Sequence, residues 1–466
     1  TSMSTLHPTR PMPSLPKSGS VTNDALGEIS YTCIGQPSSK ELNHHVSEPI
    51  PGIGISIYEL FNENALVAPF SPEINPGIAS AMGANNGVDL YQLHHNTTLP
   101  TTGQTKRLAI PQVNRSTLPM VSWQHGTIFE AEDAPSCIYK DQTINRDGHG
   151  SPRSIETLLN VITLAGNGYI VVASDYVGNG ISTDGQAYAI KEITVQTLID
   201  TLIASEAVLA ELGIRSDQLF LNGWSQGGLN TQWLAAALPT RGIKTPTRAS
   251  AVSAPSDLSL ICSYWLNNFA GEPNWLTAVV PILIGSYETY YNISDLMARA
   301  IKPEYLEIAQ MIYLKTFNWG HVDWNAPMPI SYPEYWPKTL LPTKPNEMMN
   351  PDFLEEFNRG KGEFYARTKS NTTLQGRYAM PFRFYGGNSD PVVPEWSSIL
   401  WPTEHQRLQG SLLSTGVAVD PAIPLTADRV GQRGGSHRST FLASLFDPGL
   451  HVRRWFDEAL TPGPLS

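Results

Sequence analysis

Residues 219–228 read LFLNGWSQGG. An apolar burst runs straight into Ser225, with Gly223 two residues before it and Gly227 and Gly228 just after. Gly223-Trp224-Ser225-Gln226-Gly227 matches the pattern G-x-S-x-G, which is weak alone because Gly and Ser are common in this chain. The flanking sequence strengthens it. QLFLNGW (218–224) reads as a buried strand and LNTQWLAAAL (229–238) as a helix, so the serine falls on the turn that joins them. Such a turn holds a serine in strained backbone with its hydroxyl pointing out of the sheet. Side chains at positions 223 and 227 would collide with the neighbouring strand and helix, which explains the glycines. The following helix aims its N-terminal amides at the same point. Ser225 is therefore a candidate nucleophile.

The strand–helix alternation extends outward from this turn. SIETLLNVITLAGNG (154–168) has helical spacing and a glycine stop. YIVVASDY (169–176) is a continuous apolar strand, TVQTLIDTLIASEAVLAELG (194–213) a long helix ending on Gly213, and RASAVSAPSD (248–257) a strand again. Before them, VDLYQLHHNTT (88–98), TKRLAIPQV (105–113) and PMVSWQHG (119–126) read as three strands. Near-continuous Val/Ile/Leu strands alternating with helices predict an α/β fold: a mostly parallel central sheet covered by helices on both faces. The alternation breaks at about Leu258 and resumes at MPFRFYGGNSD (380–390). The stretch between holds five of the 11 Trp and ten of the 18 Tyr. It reads as an inserted cap over 258–379, with the core formed by 85–257 and 380–466. Residues 1–84 read as a flexible arm followed by an irregular, Pro/Gly-punctuated extension.

Composition narrows the function. With 31 Lys and Arg against 42 Asp and Glu, the net charge is −11, and an acidic surplus of this size repels phosphate backbones. Nucleic acid is excluded as a partner on that ground. The longest apolar run, WLTAVVPILIG (275–285), is too short to span a bilayer and contains Pro281. The Pro- and Ser-rich first twenty residues hold no apolar signal-peptide core. Cys33, Cys137 and Cys262 allow at most one disulfide, and their spacing fits no zinc or redox motif.

A serine nucleophile needs a base and a group that orients it. Three histidines follow the cap: His405, His437 and His451. His405 lies inside helical EHQRLQG and His451 at the start of a C-terminal helix. His437 lies in QRGGSHRST, a Gly-rich loop between a strand-like segment and a helix, where this architecture places catalytic groups. The acid candidate is Asp390 in RFYGGNSDPVVP, after an apolar strand and a Gly-Gly turn; Asp257 and Asp420 are its rivals. For an oxyanion hole, one amide comes from Gln226, next to the nucleophile. The other comes from the loop after the third strand, WQHGTIFE, where Thr127 is favoured over Gly126. His149-Gly150 has no strand before it. His125 is expected to brace the loop by hydrogen bonds. The adjacent pairs His44-His45 and His94-His95 diverge in strands and suggest no metal site. YETYY (287–291) reads as cap core.

With these parts in place, the chain resembles the α/β-hydrolase superfamily, and within it the secreted lipase family of Candida antarctica lipase A-like enzymes and their bacterial relatives. The resemblance covers roughly residues 85–460. It rests on LHHNTT, WQHGT, VVASDYVGNG, GWSQGG, SAPSDL, GGNSDPVVP and the terminal HRSTFLASLF…RRWF, which stand in the family's order. Fungal members usually carry more cysteines, which points toward the bacterial relatives. The resemblance implies a Ser225–Asp390–His437 triad, a lid at 258–379 that shapes the acyl pocket, no cofactor, and a secreted or periplasmic setting. The expected activity is hydrolysis of apolar or bulky carboxylic esters through an acyl-enzyme, with a serine peptidase, amidase or acyltransferase on the same fold as the alternative. The expected partner is a small-molecule or lipid-like ester, with no stable membrane insertion.

Overall fold

The structure, a computed structural model, describes residues 14–48, 83–99, 104–140, 144, 152–271, 275–317, 341–411, 413–419, 437–447 and 449–460. Among them, one ten-stranded sheet runs in the order β1-β2-β3-β4-β6-β5-β7-β8-β9-β10. The strands are β1 (Ser18–Asn23), β2 (Gly27–Gly35), β3 (Val88–His95), β4 (Gln104–Pro111), β5 (Thr117–Gln124), β6 (Ile170–Ser174), β7 (Arg215–Trp224), β8 (Arg248–Val252), β9 (Phe382–Gly387) and β10 (Ser414–Val419). Pairing is antiparallel from β1 to β6 across β2, β3 and β4. From β6 through β5, β7, β8 and β9 to β10 it is parallel throughout.

The parallel strands read as unbroken apolar runs because both faces are covered. Leu219 and Leu221 of β7 join Met120, Ile170 and Val172 in one core. Phe220, one step along, joins Val121, Val171 and Trp123 in the other. Helices Lys191–Glu211 and Gln226–Ala237 cover the first face through Leu198, Leu202, Leu229 and Trp233. Helices Ile155–Thr163, His437–Phe446 and Val452–Asp457 cover the second through Leu158, Ile162, Phe441 and Phe456. The Lys191–Glu211 helix is long and apolar enough, by length and composition, to cross a membrane, with mean hydropathy 1.4 over its best window. It is apolar nearly all round because 67% of that window is buried inside the protein.

The N-terminal reading needs correction. Residues 18–35, expected to be an arm and irregular extension, form β1 and β2 of the central sheet, and a helix follows at Ser39–Ser47. The signal was present in GEISYTCIG, where buried Ile29 and Tyr31 alternate with exposed Glu28, Ser30 and Thr32. A capping box also marked the helix: Glu41 N donates to Ser38 Oγ at 3.2 Å, and Ser38 N donates to Glu41 Oε2 at 2.7 Å. His44 and His45 accordingly sit on this helix, not in a strand, and both face Glu48.

Between β8 and β9 the described chain is helical, over Leu258–Asn267, Leu276–Tyr291, Leu296–Ala300, Pro303–Tyr313, Pro345–Met348, Pro351–Asn358 and Gly362–Ser370. Its apolar side chains, among them Ile261, Leu276, Ile282 and Phe353, belong to the same core as the first sheet face. Tyr287 of YETYY is fully buried, donates to Ala189 O at 3.0 Å and accepts from Asn371 Nδ2 at 2.9 Å. Cys33 and Cys262 are free thiols.

Because Ile29 is buried in the first core, Ile29→Ala should cost about 2–5 kcal/mol of unfolding free energy. Exposed Ser30→Ala should cost less than about 0.5 kcal/mol. Urea denaturation of the two variants checks this; equal, negligible effects would mean residues 18–35 do not belong to the sheet.

Candidate active site

β7 ends at Trp224 and the next helix begins at Gln226, so Ser225 alone makes the reversal. Its φ of 55° and ψ of −119° lie outside the regions a side chain favours, a strain of about 1–3 kcal/mol. The glycines permit it. A Cβ on Gly223 would stand 2.2 Å from Gly227 O and 2.3 Å from Thr231 Oγ1. A Cβ on Gly227 would stand 1.9 Å from Gln124 O and 2.6 Å from His125 O. Hydrogen bonds lock the result: Ser225 N donates to Val252 O at 2.9 Å, and Leu229 N donates to Ser225 O at 3.0 Å.

His437 Nε2 stands 2.9 Å from Ser225 Oγ, and His437 Nδ1 stands 2.9 Å from Asp390 Oδ2. The His437 and Asp390 side chains are 1% and 0% exposed. Asp390 lies just past β9, where the amides of Val392 and Val393 donate to Oδ1 at 2.9 and 3.0 Å. One carboxylate oxygen is thus fixed by backbone and the other faces the imidazole. His437 lies on the helix His437–Phe446. Its ring lies 5.2 Å from that of Trp224 and 5.8 Å from that of Trp275, and Trp224 Nε1 donates to His437 O at 3.2 Å. A carboxylate at Nδ1 selects the tautomer whose Nε2 lone pair points at the serine hydroxyl. The arrangement can therefore draw a proton from Ser225.

The rivals are engaged elsewhere. His405 Nε2 lies 3.3 Å from Gly376 O. His451 caps the Val452–Asp457 helix by accepting from Arg454 N at 3.0 Å. Asp257 caps the Leu258–Asn267 helix, accepting from Leu260 N at 3.2 Å and Ser259 Oγ at 2.7 Å. Asp420 and His149-Gly150 lie outside the described residues.

Thr127 and Gln226 line the same cavity as Ser225. Gln226 is the first residue of its helix, so its amide has no intrahelical acceptor. Gly126 N is committed, donating to Glu156 Oε2 at 2.7 Å. His125 braces this loop as expected. Its Nδ1 lies 2.7 Å from Gly126 O and its Nε2 3.3 Å from Asp175 O, and its ring stacks on Tyr176 at 4.0 Å. Burial pushes its pKa down to about 4, so it stays neutral. Tyr176 completes the brace by donating to His125 O at 2.8 Å. Sequence reasoning missed Glu156, Tyr176 and Tyr188. Each meets the loop from a distant part of the chain, and no local pattern announces such a contact.

The rest of the cavity is apolar, and the helices between β8 and β9 supply much of it through Leu258, Trp265, Leu276, Val279 and Leu283. Among the described residues no group of three or more His, Cys, Asp or Glu is placed to hold a metal.

Comparison with known proteins bears on the fold. The Prolyl oligopeptidase family matches residues 156–241, the stretch containing Ser225 but less than a fifth of the chain. No curated protein matches. A putative hydrolase from Legionella pneumophila has a TM-score of 0.68 at 17% identity over 94% of this chain and 99% of its own. The rice cell wall degrading esterase LipA from Xanthomonas oryzae, in a ligand-bound form, has a TM-score of 0.62 at 16% identity over 85% and 92%. Candida antarctica lipase A in its closed state has a TM-score of 0.51 at 16% identity over 71% of each chain. The fold is that of the α/β-hydrolases.

Two outcomes follow from the site's packing. Gly227→Ala forces a Cβ into the Gln124 and His125 carbonyls and should destabilise the protein by about 1–3 kcal/mol or more in urea; an unchanged midpoint would contradict the elbow geometry. Burial raises the Glu156 carboxyl from 4.5 to about 7, against the opposing pull of the Gly126 amide and Arg438. An acid raised on folding binds more protons folded than unfolded between those values. Stability is therefore lost as pH rises through that window, and the penalty is complete above it. Glu156→Gln should thus gain stability relative to wild type as pH rises from about 4.5 to about 7, then hold that gain, in urea titrations across the range.

Proposed function

We propose that this chain, a protein of α/β-hydrolase fold, is a serine carboxylic-ester hydrolase acting on apolar esters. The observation that carries the reading is the hydrogen-bonded line Ser225–His437–Asp390 opening into an apolar cavity. Ser225 Oγ attacks the ester carbonyl carbon while His437 Nε2 takes its proton. The amides of Thr127 and Gln226 receive the charge that develops on the carbonyl oxygen. Asp390 holds the imidazolium in place without taking its proton. His437 returns the proton to the departing alkoxide, leaving an acyl-Ser225. Water, deprotonated by the same imidazole, then attacks the acyl carbon, and the imidazolium returns that proton to Ser225 Oγ as the acid leaves. This chemistry calls for no cofactor.

The helices inserted between β8 and β9 act as a cap that shapes the acyl pocket. The described cavity lining carries no charged side chain, which suits an apolar acyl group. The match to the Prolyl oligopeptidase family favours a peptidase as second reading. It spans helix, strand, helix, strand, elbow and elbow helix, parts that members of the fold share, and it stops before the inserted helices that supply much of the cavity lining. The esterase and lipase neighbours support the ester reading over a longer part of the chain.

Hydrolysis of a p-nitrophenyl ester series from acetyl to palmitoyl, by wild type and Ser225→Ala, tests both parts. Wild type should show an optimum above acetyl, and the variant should lose roughly 10⁴-fold or more in kcat. Preference for amides over the matched esters would establish the peptidase reading, and net transfer to an added alcohol would establish an acyltransferase.

A further inference from the structure

Thr127 and Tyr188 line the same cavity as Ser225, and their hydroxyls lie 2.8 Å from each other. Two hydroxyls joined by one hydrogen bond own two protons, and the bond uses one. Among the described residues, Thr127 is the sole hydrogen-bond partner of the Tyr188 phenol. The phenol is buried and keeps its proton, because burial holds its pKa well above the ordinary value. If Thr127 donated, the Tyr188 proton would be stranded in apolar surroundings at a cost. If Tyr188 donates, the Thr127 proton is left for whatever enters the cavity.

The position of Tyr188 is set by the inserted helix Leu276–Tyr291. Tyr188 N donates to Ser286 Oγ at 3.0 Å, and Ser286 Oγ donates in turn to Gln186 O at 2.6 Å. Tyr287 Oη donates to the carbonyl of Ala189, whose φ is 55°. Backbone on both sides of the phenol is thus clamped to the helix that also contributes Leu276, Val279 and Leu283 to the cavity.

We propose that the Thr127 hydroxyl is a third hydrogen-bond donor to the tetrahedral oxygen, beside the amides of Thr127 and Gln226, and that Tyr188 is the positioning residue that turns it there. This rests on the serine-ester reading above. No bond is made or broken and no proton changes owner: Tyr188 donates to Thr127 Oγ1, and Thr127 donates to the oxyanion.

Steady-state hydrolysis of p-nitrophenyl butyrate by Thr127→Val, Thr127→Ser, Tyr188→Phe and the Thr127→Val/Tyr188→Phe double variant tests this, with thermal unfolding of each as the folding control. Thr127→Val keeps the backbone amide and should lower kcat about 10- to 100-fold with KM little changed. Thr127→Ser should recover to within about threefold of wild type. Tyr188→Phe should lower kcat about 3- to 10-fold alone and not at all in the Thr127→Val background, since its effect passes through that hydroxyl. A Thr127→Val variant within twofold of wild type, or a Tyr188→Phe loss that is the same in both backgrounds, overturns the proposal. If Thr127→Val melts too early to assay, Thr127→Ala takes its place against Thr127→Ser. A wild type that depends on Ser225 while the Thr127 variants stay fully active sinks this inference alone. A wild type inert toward esters and unlabelled at Ser225 by a fluorophosphonate probe sinks both readings.

Discussion

The site depends on one close approach, backbone against backbone, where the start of the elbow helix meets the end of β5. Gly227 presses on the carbonyls of Gln124 and His125 with no room for a methyl group. Only this contact brings the helix's first amide beside the loop that carries Thr127, and both beside Ser225. The unfavourable φ of Ser225 follows from it, since one residue must reverse the chain within that separation. The loop, in turn, is held from outside by Glu156, Tyr176 and the His125 ring, none of which touches the serine in any hydrogen bond described. The strain sits at Ser225, and a shell of rigid contacts around it keeps it there.

Parallel register then gathers the remaining groups. Trp224 of β7 pairs with Val252 of β8, and Val252 with Tyr385 of β9. The carboxyl ends of these strands therefore reach the same edge of the sheet. Ser225 follows one and Asp390 lies just beyond another, so residues far apart in sequence arrive together without long excursions. Burial does the rest. With both partners almost wholly removed from water, the His437–Asp390 hydrogen bond acts in a medium where such contacts are strong and rotation is blocked.

Much of this was legible in the chain. LFLNGWSQGG carries strand, turn and helix in ten residues, and the glycines declare the steric demand. Asp390 and His437 could be chosen because chain order and loop position exclude most rivals, and the structure sets both within hydrogen-bond reach of the line to Ser225. What escaped was of two kinds. The β1–β2 pair is exposed along one face, so its apolar count is low and only the alternation betrays it. Glu156, Tyr176 and Tyr188 act through contacts with Gly126, His125 and Thr127 across 30, 51 and 61 residues. Such pairings are set by the fold and leave no periodicity to read. The Lys191–Glu211 helix marks the opposite hazard: composition alone would send it into a membrane, whereas its neighbours make it core.

The inserted helices and the first sheet face share one apolar core, and polar stitches cross the join. Trp233 Nε1 donates to Thr372 O at 3.3 Å, and Thr373 Oγ1 donates to Gln232 Oε1 at 2.8 Å. The insert is therefore not a detachable module. Excising it would strip Leu229 and Trp233 of their cover, and transplanting another protein's insert would set foreign side chains against a surface shaped for these ones. A lineage diversifying its substrates on this scaffold would have to change the elbow helix and the insert together. Pocket shape and fold stability are written in the same residues, so neither can drift far without the other.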